Sequence, residues 1–340
     1  MDTNEPNEAQ QSSPSIEESV YQENSQLKEL SDSIKKAKQE IGKVLVGMDT
    51  NIDLIYASLL CGGHVLLEGV PGIAKTLLTK LIAKSLDADF SRVQFTPDLM
   101  PSDVIGTSIF DMKNASFEFK KGPIFSNIVL IDEINRAPAK TQAALFEVME
   151  EAQITVDSTT YPMEPPFFVM ATQNPIEQEG TYKLPEAQLD RFLVKLYVDY
   201  PSYEEEVLIL ERFQSDFKQH QLDDVKPVLT KKKVAELQKQ IEGVFIKKEI
   251  IDYIAQLVSS TRTTNDLFLG ASPRASLALL KLSKAIAGLN GRNFVIPDDV
   301  KYVANSVLNH RIILTAEKEM EGTEVHEVID ELVGQIEIPR

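Results

Sequence analysis

A glycine-rich octapeptide carries the residue types that bind a phosphate group. It consists of Gly69, Val70, Pro71, Gly72, Ile73, Ala74, Lys75 and Thr76. An apolar run, residues 64–68, precedes it and an amphipathic stretch, residues 77–86, follows it, which is the strand, turn and helix context of a phosphate-binding loop. Glycines let backbone N–H groups approach an anion, and the helix directs its positive end at the same anion. Lys75 would then reach the β- and γ-phosphates of a nucleotide, and the Thr76 hydroxyl would hold Mg²⁺.

One position departs from the usual loop pattern, because Ala74 stands where Gly normally precedes the lysine. A chance glycine turn is the alternative interpretation. A second feature argues against it: the apolar run of residues 128–131 ends in Asp132 and Glu133. Carboxylates at the C-terminal end of a central strand lie where ligands bind in open α/β sheets. Asp132 would hold the Mg²⁺ shell and Glu133 would orient the attacking water, although a solvated acidic pair is the simpler alternative.

Two further polar residues stand where they could contact a nucleotide. Asn174 follows an apolar run, residues 167–171, and could bind the attacking water or the γ-phosphate, or simply begin a turn with Pro175. Ser272, Pro273 and Arg274 have the types expected at the N-cap and first turn of a helix. A cation there opposes the helix dipole, so Arg274 makes sense opposite a phosphate oxyanion, the alternative being an exposed arginine.

Composition limits the class of protein. The chain has 340 residues, 43% of them hydrophobic, enough for two domains or for one domain with an attached lid. One cysteine excludes a disulfide framework, and the four histidines lack metal-ligand spacing. No run approaches the ~20 apolar residues of a membrane span, and the acidic N-terminus lacks a signal sequence, so we expect a cytoplasmic protein. The net charge of −17 opposes non-specific binding to nucleic acid.

The hydrophobic pattern predicts how these residues are positioned. Strands are expected at residues 64–68, 91–95, 128–131, 167–171 and 193–198, alternating with helices, which indicates a parallel five-stranded sheet flanked by helices. Residues 108–120 and 153–163 have hairpin patterns. From residue 202 onward the pattern is helical. We therefore expect a disordered acidic tail at 1–25, an α/β nucleotide-binding domain at 26–201, and a small all-α lid domain with a C-terminal tail at 202–340.

With these pieces in place, the chain resembles the MoxR branch of the AAA+ P-loop ATPases from about residue 41 to residue 313. The resemblance is carried by the segments GGHVLLEGVPGIAKT (62–76), QFTPDLMPSDVIGT (94–107), GPIFSNIVLIDEINRAPAKTQAA (122–144), ATQNPIEQEGTYKLPEAQLDRF (171–192) and GASPRAS (270–276). The Ala74 departure is typical of this family. The two hairpins are similar to the helix-2 insert and the pre-sensor insert of its clade.

The resemblance implies a role for each matched residue. Gly69 to Thr76 correspond to Walker A, Asp132 and Glu133 to Walker B, Asn174 to sensor 1, and Arg274 to the sensor 2 arginine of the lid. Arg191 is similar to the arginine finger that completes a neighbouring subunit's ATP site. Val46 and Gly47 resemble the segment that contacts adenine, although Met48 replaces the family's usual Gln. The implied nucleotide-binding set is Val46, Gly47, the eight loop residues and Leu77, with ATP and Mg²⁺ as cofactors.

Family members are similar to hexameric, chaperone-like ATPases that act with von Willebrand factor A (VWA) domain proteins in metal-cofactor insertion or complex assembly. The resemblance therefore implies a homo-oligomeric ring that remodels a client, with a VWA-domain partner on a separate chain. One alternative is a nucleotide-gated scaffold with little hydrolysis. Another is a DNA-acting motor, in which the hairpins would present Lys113, Lys120 and Lys121 to a pore; ordinary solvated lysines are the simpler interpretation, and the net charge disfavours DNA.

Overall fold

The computed structural model describes residues 16–175, 182, 184–214 and 222–339. Its first part contains α1 (Ile16–Gly42), α2 (Asp49–Leu60), β1 (Val65–Glu68), α3 (Lys75–Ser85), β2 (Phe90–Gln94), α4 (Pro101–Ile105), β3 (Gly106–Asp111), β4 (Ser116–Lys121), β5 (Ile128–Asp132), α5 (Ala139–Glu151), β6 (Gln153–Val156), β7 (Thr159–Pro162), β8 (Phe168–Gln173), α6 (Glu186–Leu189) and β9 (Val194–Tyr197). Helix α1 begins at Ile16, within the stretch of residues 1–25 predicted as a disordered tail, while residues 1–15 of that tail lie outside the described ranges.

The second part of the chain is largely helical. It contains α7 (Tyr203–Phe213), α8 (Lys231–Glu242), α9 (Lys248–Thr263), β10 (Leu267–Leu269), α10 (Pro273–Leu289), α11 (Pro297–Leu308), β11 (Ile313–Leu314), α12 (Ala316–Met320) and α13 (Val325–Gln335). These helices agree with the helical pattern predicted from residue 202 onward. The antiparallel pair β10–β11 does not, because strands of three and two residues are too short to show a period. The described helices include none with the length and apolar character that crossing a bilayer requires.

The central sheet has the strand order β2-β5-β8-β1-β9, and its four pairs are parallel. Its three central strands, β5, β8 and β1, are buried on both faces, as their continuous apolar sequences predict. In β8, for example, Phe168 and Met170 belong to one hydrophobic cluster, and Val169 and Ala171 belong to the cluster on the opposite face. The predicted α/β class with a five-stranded parallel sheet is confirmed.

The first of these clusters joins the two parts of the chain. It contains Leu30 of α1, Ile55 of α2, Met170 of the sheet and Leu282 of α10, all of them buried. The C-terminal helices therefore pack against the α/β part through a shared apolar core.

The two inserted hairpins are present and lie side by side. Strand β3 pairs with β4 and strand β6 pairs with β7, both antiparallel. The ring centroids of Phe119 and Tyr161 are 4.7 Å apart, and the Ser108 hydroxyl donates to Asp157 Oδ2 at 2.5 Å. These contacts hold the first hairpin against the second.

A buried histidine ties the start of β1 to two other elements. His64 Nδ1 accepts from the backbone N–H of Val169 at 3.0 Å, and Nε2 donates to the carbonyl of Met149 at 3.0 Å. The ring is therefore neutral, because Nδ1 can accept only while it lacks a proton. Burial lowers the pKa of His64 to about 4.

We expect this histidine to make stability depend on pH. Its folded pKa lies below the unfolded value near 6.5, so below pH 6.5 the unfolded chain takes up a proton that the folded chain does not. Above that pH the free energy of unfolding is unaffected, and between pH 7 and 5.5 it falls by about 1 kcal/mol on account of His64. Denaturant titrations at a series of pH values should show a shallower slope for His64→Gln than for the wild type.

The exposed His326 provides the control, since His326→Gln makes the same substitution at the surface. Burial also lowers the pKa of His310, but His310 contributes equally in all three proteins. An unchanged slope in His64→Gln would show that His64 titrates normally in the folded chain.

Candidate functional site

The loop between β1 and α3 has the backbone of a phosphate-binding turn. Gly72 has φ 89° and Ala74 has φ 61°, both in the left-handed region. Ala74 is the N-cap of α3, so the helix starts at Lys75 directly after it. The residue that departs from the usual pattern therefore adopts a conformation that glycine reaches without strain.

Gly69 is required for a different reason. A Cβ atom at this position would collide with the carbonyl oxygen of Val198 and with the Ile73 side chain. The end of the neighbouring strand β9 thus passes close to the start of the loop. Only glycine leaves room for this approach.

The Lys75 side chain lies folded over the loop. Its ammonium group donates to the carbonyl of Gly69. Burial lowers the pKa of Lys75, and the negative charges of Asp132, Glu133 and Glu68 oppose that shift. The ammonium group therefore binds backbone carbonyl groups and interacts electrostatically with three carboxylates. An anionic phosphate that entered the loop would further stabilise its charged form.

The two predicted magnesium ligands face each other. Thr76 Oγ1 lies 3.4 Å from Asp132 Oδ2, and Asp132 is 7% exposed. Asp132 Oδ1 accepts from the Thr172 hydroxyl at 3.0 Å, and Oδ2 is paired with Arg92 Nε at 2.6 Å. A hydroxyl and a single carboxylate suit Mg²⁺, which keeps several of its waters and takes few protein ligands.

Glu133 leaves the strand in a left-handed conformation, with φ 56°. Its backbone N–H donates to Thr172 Oγ1 at 2.9 Å. Its carboxylate Oε2 accepts from Gln94 Nε2 at 2.9 Å and is paired with Arg136 Nε at 2.9 Å. The side chain is thus held beside Asp132 by a hydrogen bond from a neighbouring strand and by an ion pair with the following turn.

Asn174 lies at the same edge of the sheet. It directly follows β8, whose last residue Gln173 accepts from the N–H of Gly69 at 3.3 Å. Asn174 is buried. The structure therefore places Asn174 next to the phosphate-binding loop.

A cleft of about 780 Å³ opens beside the loop and is large enough for a nucleotide base and sugar. Its walls include Val46, Met48, Asn51, Pro71, Gly72, Ile73, Ala74, Leu77, Tyr200, Glu205, Ile209 and Arg212. Gly47 has φ 75°, and a Cβ there would collide with the Glu205 carboxylate. The predicted adenine-contacting segment therefore lies at the mouth of this cleft, facing helix α7.

The two predicted arginines lie together, in another place. Arg191 Nη1 is 2.7 Å from Glu150 Oε2, and Arg274 Nη2 is 2.9 Å from Glu150 Oε1. The described residues that line their cleft of about 240 Å³ are Met149, Glu150, Asp190, Arg191 and Arg274. None of these belongs to the phosphate-binding loop or to the acidic pair. The predicted site residues thus form two groups, and in the second group the Glu150 carboxylate is paired with both guanidinium groups.

Several residues with contacts to the site were missing from the sequence prediction. Arg92 and Gln94 lie two residues apart on β2, so they share the face that meets Asp132 and Glu133. Thr172 lies on β8, which pairs with the strand that carries Asp132, and Glu150 lies in the last turn of α5. The alternation of polar residues along β2 was a usable signal, whereas nothing in the sequence distinguishes Glu150 from its acidic neighbours.

Comparisons with known proteins agree with this geometry. A family model described as "ATPase family associated with various cellular activities (AAA)" matches residues 64–194, and one described as an AAA lid domain matches residues 259–332. A crystal structure of a protein assigned as an ATPase, from Cytophaga hutchinsonii, superposes with a TM-score of 0.86 at 43% identity, covering 96% of this chain and all of that one.

Relatives with similar sequences match over almost their whole length. The chain is 47% identical to YeaC of Bacillus subtilis, a protein described as uncharacterised, over 94% of this chain and 98% of YeaC. It is 42% identical to the chaperone MoxR1 of Mycobacterium tuberculosis, over 91% of this chain and 83% of MoxR1. MoxR of Methylorubrum extorquens is 27% identical, over 86% and 91%. The chain belongs to the MoxR family of AAA+ ATPases.

Proposed function

We propose that this protein hydrolyses ATP with Mg²⁺ at sites shared between neighbouring copies of a ring, and that the cycle remodels a partner protein. One observation supports shared sites above all others. Lys75, Thr76, Asp132 and Glu133 are gathered at the sheet edge, whereas Arg191 and Arg274 are gathered around Glu150. Each copy would thus carry the nucleotide-binding half of one hydrolytic site and the arginine half of another.

In the first half, the loop and its helix bind the phosphates. The N–H groups at the start of α3 and the Lys75 ammonium would neutralise the β- and γ-phosphates. Thr76 and Asp132 would hold the Mg²⁺, which supplies charge neutralisation between the β- and γ-phosphates when it is bound. Val46 and Gly47 would contact the base at the mouth of the cleft beside the loop.

Glu133 would polarise the attacking water, and Asn174 would bind that water or the γ-phosphate. The carboxylate of Glu133 is held by Gln94 and Arg136 at the edge where the γ-phosphate would lie. Its backbone is fixed through Thr172. These contacts set the direction from which Glu133 could approach a water.

In the second half, Arg191 and Arg274 would enter the ATP site of the next copy. An anion there would compete with Glu150 for both guanidinium groups. Charge developing on the γ-phosphate would then be stabilised by two cations from another subunit, in addition to Lys75. This arrangement makes assembly a condition of turnover.

The remodelling role draws on the relatives and on the hairpins. One relative is named a chaperone, and we extend that activity to this chain, with a VWA-domain protein as a separate partner and metal-cofactor insertion or complex assembly as the outcome. The tip of the β3–β4 hairpin exposes Met112 (89%) and Phe117 (73%). These exposed apolar side chains, which lie beside the exposed Lys113, suit a polypeptide client better than the DNA of the alternative hypothesis, which would require a predominantly cationic surface.

The Glu133→Gln variant should bind ATP and fail to hydrolyse it. The amide keeps the shape and the Gln94 neighbour but cannot accept a proton, so we expect turnover to fall by at least about 100-fold. Phosphate release measures turnover, and titration with a fluorescent ATP analogue measures binding. The exposed Glu236 on α8 provides the control, since Glu236→Gln should retain wild-type turnover. Wild-type turnover in Glu133→Gln would exclude the proposed role.

Mixing two inactive variants should restore activity. Arg191→Ala keeps an intact nucleotide half and loses the arginine, with an expected loss of about a thousandfold or more. Glu133→Gln keeps the arginine and loses the water-orienting carboxylate. In mixed rings the arginine of one copy would complete the site of the other, and activity should rise with protein concentration.

The matched control is Glu133→Gln mixed with the double variant Arg191→Ala/Glu133→Gln, which contains no intact nucleotide half and should stay inactive. Activity that is independent of concentration and unaffected by Arg191→Ala would indicate a self-contained monomeric ATPase.

A further inference from the structure

Asp190 directly precedes Arg191, and its carboxylate joins two distant parts of the chain. Oδ1 accepts from Arg311 Nε at 2.7 Å, and Oδ2 accepts from the Ser272 hydroxyl at 2.9 Å. Arg311 follows α11, and Ser272 precedes α10. The Asp190 side chain therefore attaches the segment that contains Arg191 to the start of α10 and to the residues that follow α11.

Arg311 holds the same segment by its backbone. Its side chain is only 3% exposed, and its guanidinium donates to the carbonyls of Phe192 at 2.6 Å and Leu193 at 3.1 Å. Burial lowers the pKa of Arg311, and the hydrogen bond to Asp190 opposes that shift. A buried guanidinium with its hydrogen bonds made is a rigid support, because breaking any one contact leaves a desolvated donor.

Ser272 connects this support to the second arginine. Its hydroxyl oxygen is the N-cap of α10 and accepts from the N–H of Arg274 at 3.2 Å. The same hydroxyl gives its proton to Asp190. The start of α10 is thus positioned by the residue next to Arg191, and the backbones of the two arginines are linked through two hydrogen bonds.

The guanidinium groups of the two arginines are also linked directly, through a partly exposed ion pair with one carboxylate. Both are paired with Glu150, but the side chains of Arg191 (30%), Arg274 (51%) and Glu150 (39%) are partly exposed. A phosphate arriving between the arginines would displace this carboxylate. The Asp190 link would remain, because it does not involve the guanidinium groups.

We propose that Asp190 is a positioning residue that presents Arg191 and Arg274 to the neighbouring ATP site as a pair of fixed spacing. The inference rests on the proposed function, in which both arginines act on another copy. Two cations that converge on one phosphoryl group must be placed to within a fraction of an ångström, since a misplacement of about 1 Å can cost about 100-fold in rate. The hydrogen bonds of Asp190 fix the backbone from which each side chain starts.

The informative variant is Ser272→Ala. Replacing Asp190 itself would leave the buried Arg311 charge without its partner and could unfold the chain. Ser272→Ala removes the link between Asp190 and α10 together with one helix cap. Thr230→Ala is the matched control, because the Thr230 hydroxyl caps α8 by accepting from the Lys233 N–H and has no contact with either arginine among the hydrogen bonds of the described residues. Ser272→Thr keeps a hydroxyl and should restore function.

The experiment places Ser272→Ala in one member of the complementing pair at a time. In the donor, Glu133→Gln, it should lower kcat of the mixture by about tenfold and change KM for ATP by less than about twofold, since the acceptor's loop binds the nucleotide. In the acceptor, Arg191→Ala, it should have no effect beyond that of Thr230→Ala. Thermal melts of each variant show whether the loss of stability is the same in both placements.

The outcomes separate the two proposals. If Glu133→Gln and Arg191→Ala fail to complement each other without Ser272→Ala, the shared-site function is wrong. If they complement and Ser272→Ala lowers kcat equally in donor and acceptor, or Ser272→Thr fails to restore it, the positioning role of Asp190 is wrong. A loss confined to the donor and absent in Thr230→Ala supports it.

Discussion

The parallel register of the central strands is the constraint on which the rest of the structure depends. Glu68 lies opposite Gln173, and Gln94 lies opposite Asp132, so the phosphate-binding loop, Asn174 and the acidic pair leave the sheet at one edge. A slip of one residue would turn every side chain of a strand to the other face. Because both faces of β5 and β8 are buried, such a slip would drive the polar ends of these strands into the apolar core.

Much of this arrangement could be predicted because its signals are local. Continuous β-branched runs predicted the strands, alternation predicted the hairpins, and the order of strand, glycine turn and helix predicted the loop around Lys75. The acidic pair and Asn174 follow directly from strand ends, whose position in a parallel sheet is fixed. Even the departure at Ala74 is a local matter, since the residue adopts the left-handed φ of 61° that the turn demands.

The remaining features depend on contacts between segments that are distant in sequence. Glu150 is one of several glutamates on α5, and only the fold places Arg191 and Arg274 on either side of it. Asp190 and Arg311 meet across more than a third of the chain. Strands β10 and β11 are too short to show a pattern. Helix α13, by contrast, carries a local signal, the i, i+3, i+4, i+7 spacing of Val325, Val328, Ile329 and Leu332.

Both carboxylates and both arginines of the proposed site have an ion-pair partner in the chain alone. Asp132 is paired with Arg92, Glu133 with Arg136, and the two arginines with Glu150. Under the proposed function, binding of nucleotide, metal and a neighbouring copy would exchange these pairs rather than add new ones. An exchange that keeps each group paired avoids a buried unpaired charge at every step. It would also make the positions of the two halves depend on their ligands, and this dependence would convert phosphate binding and release into movement between subunits.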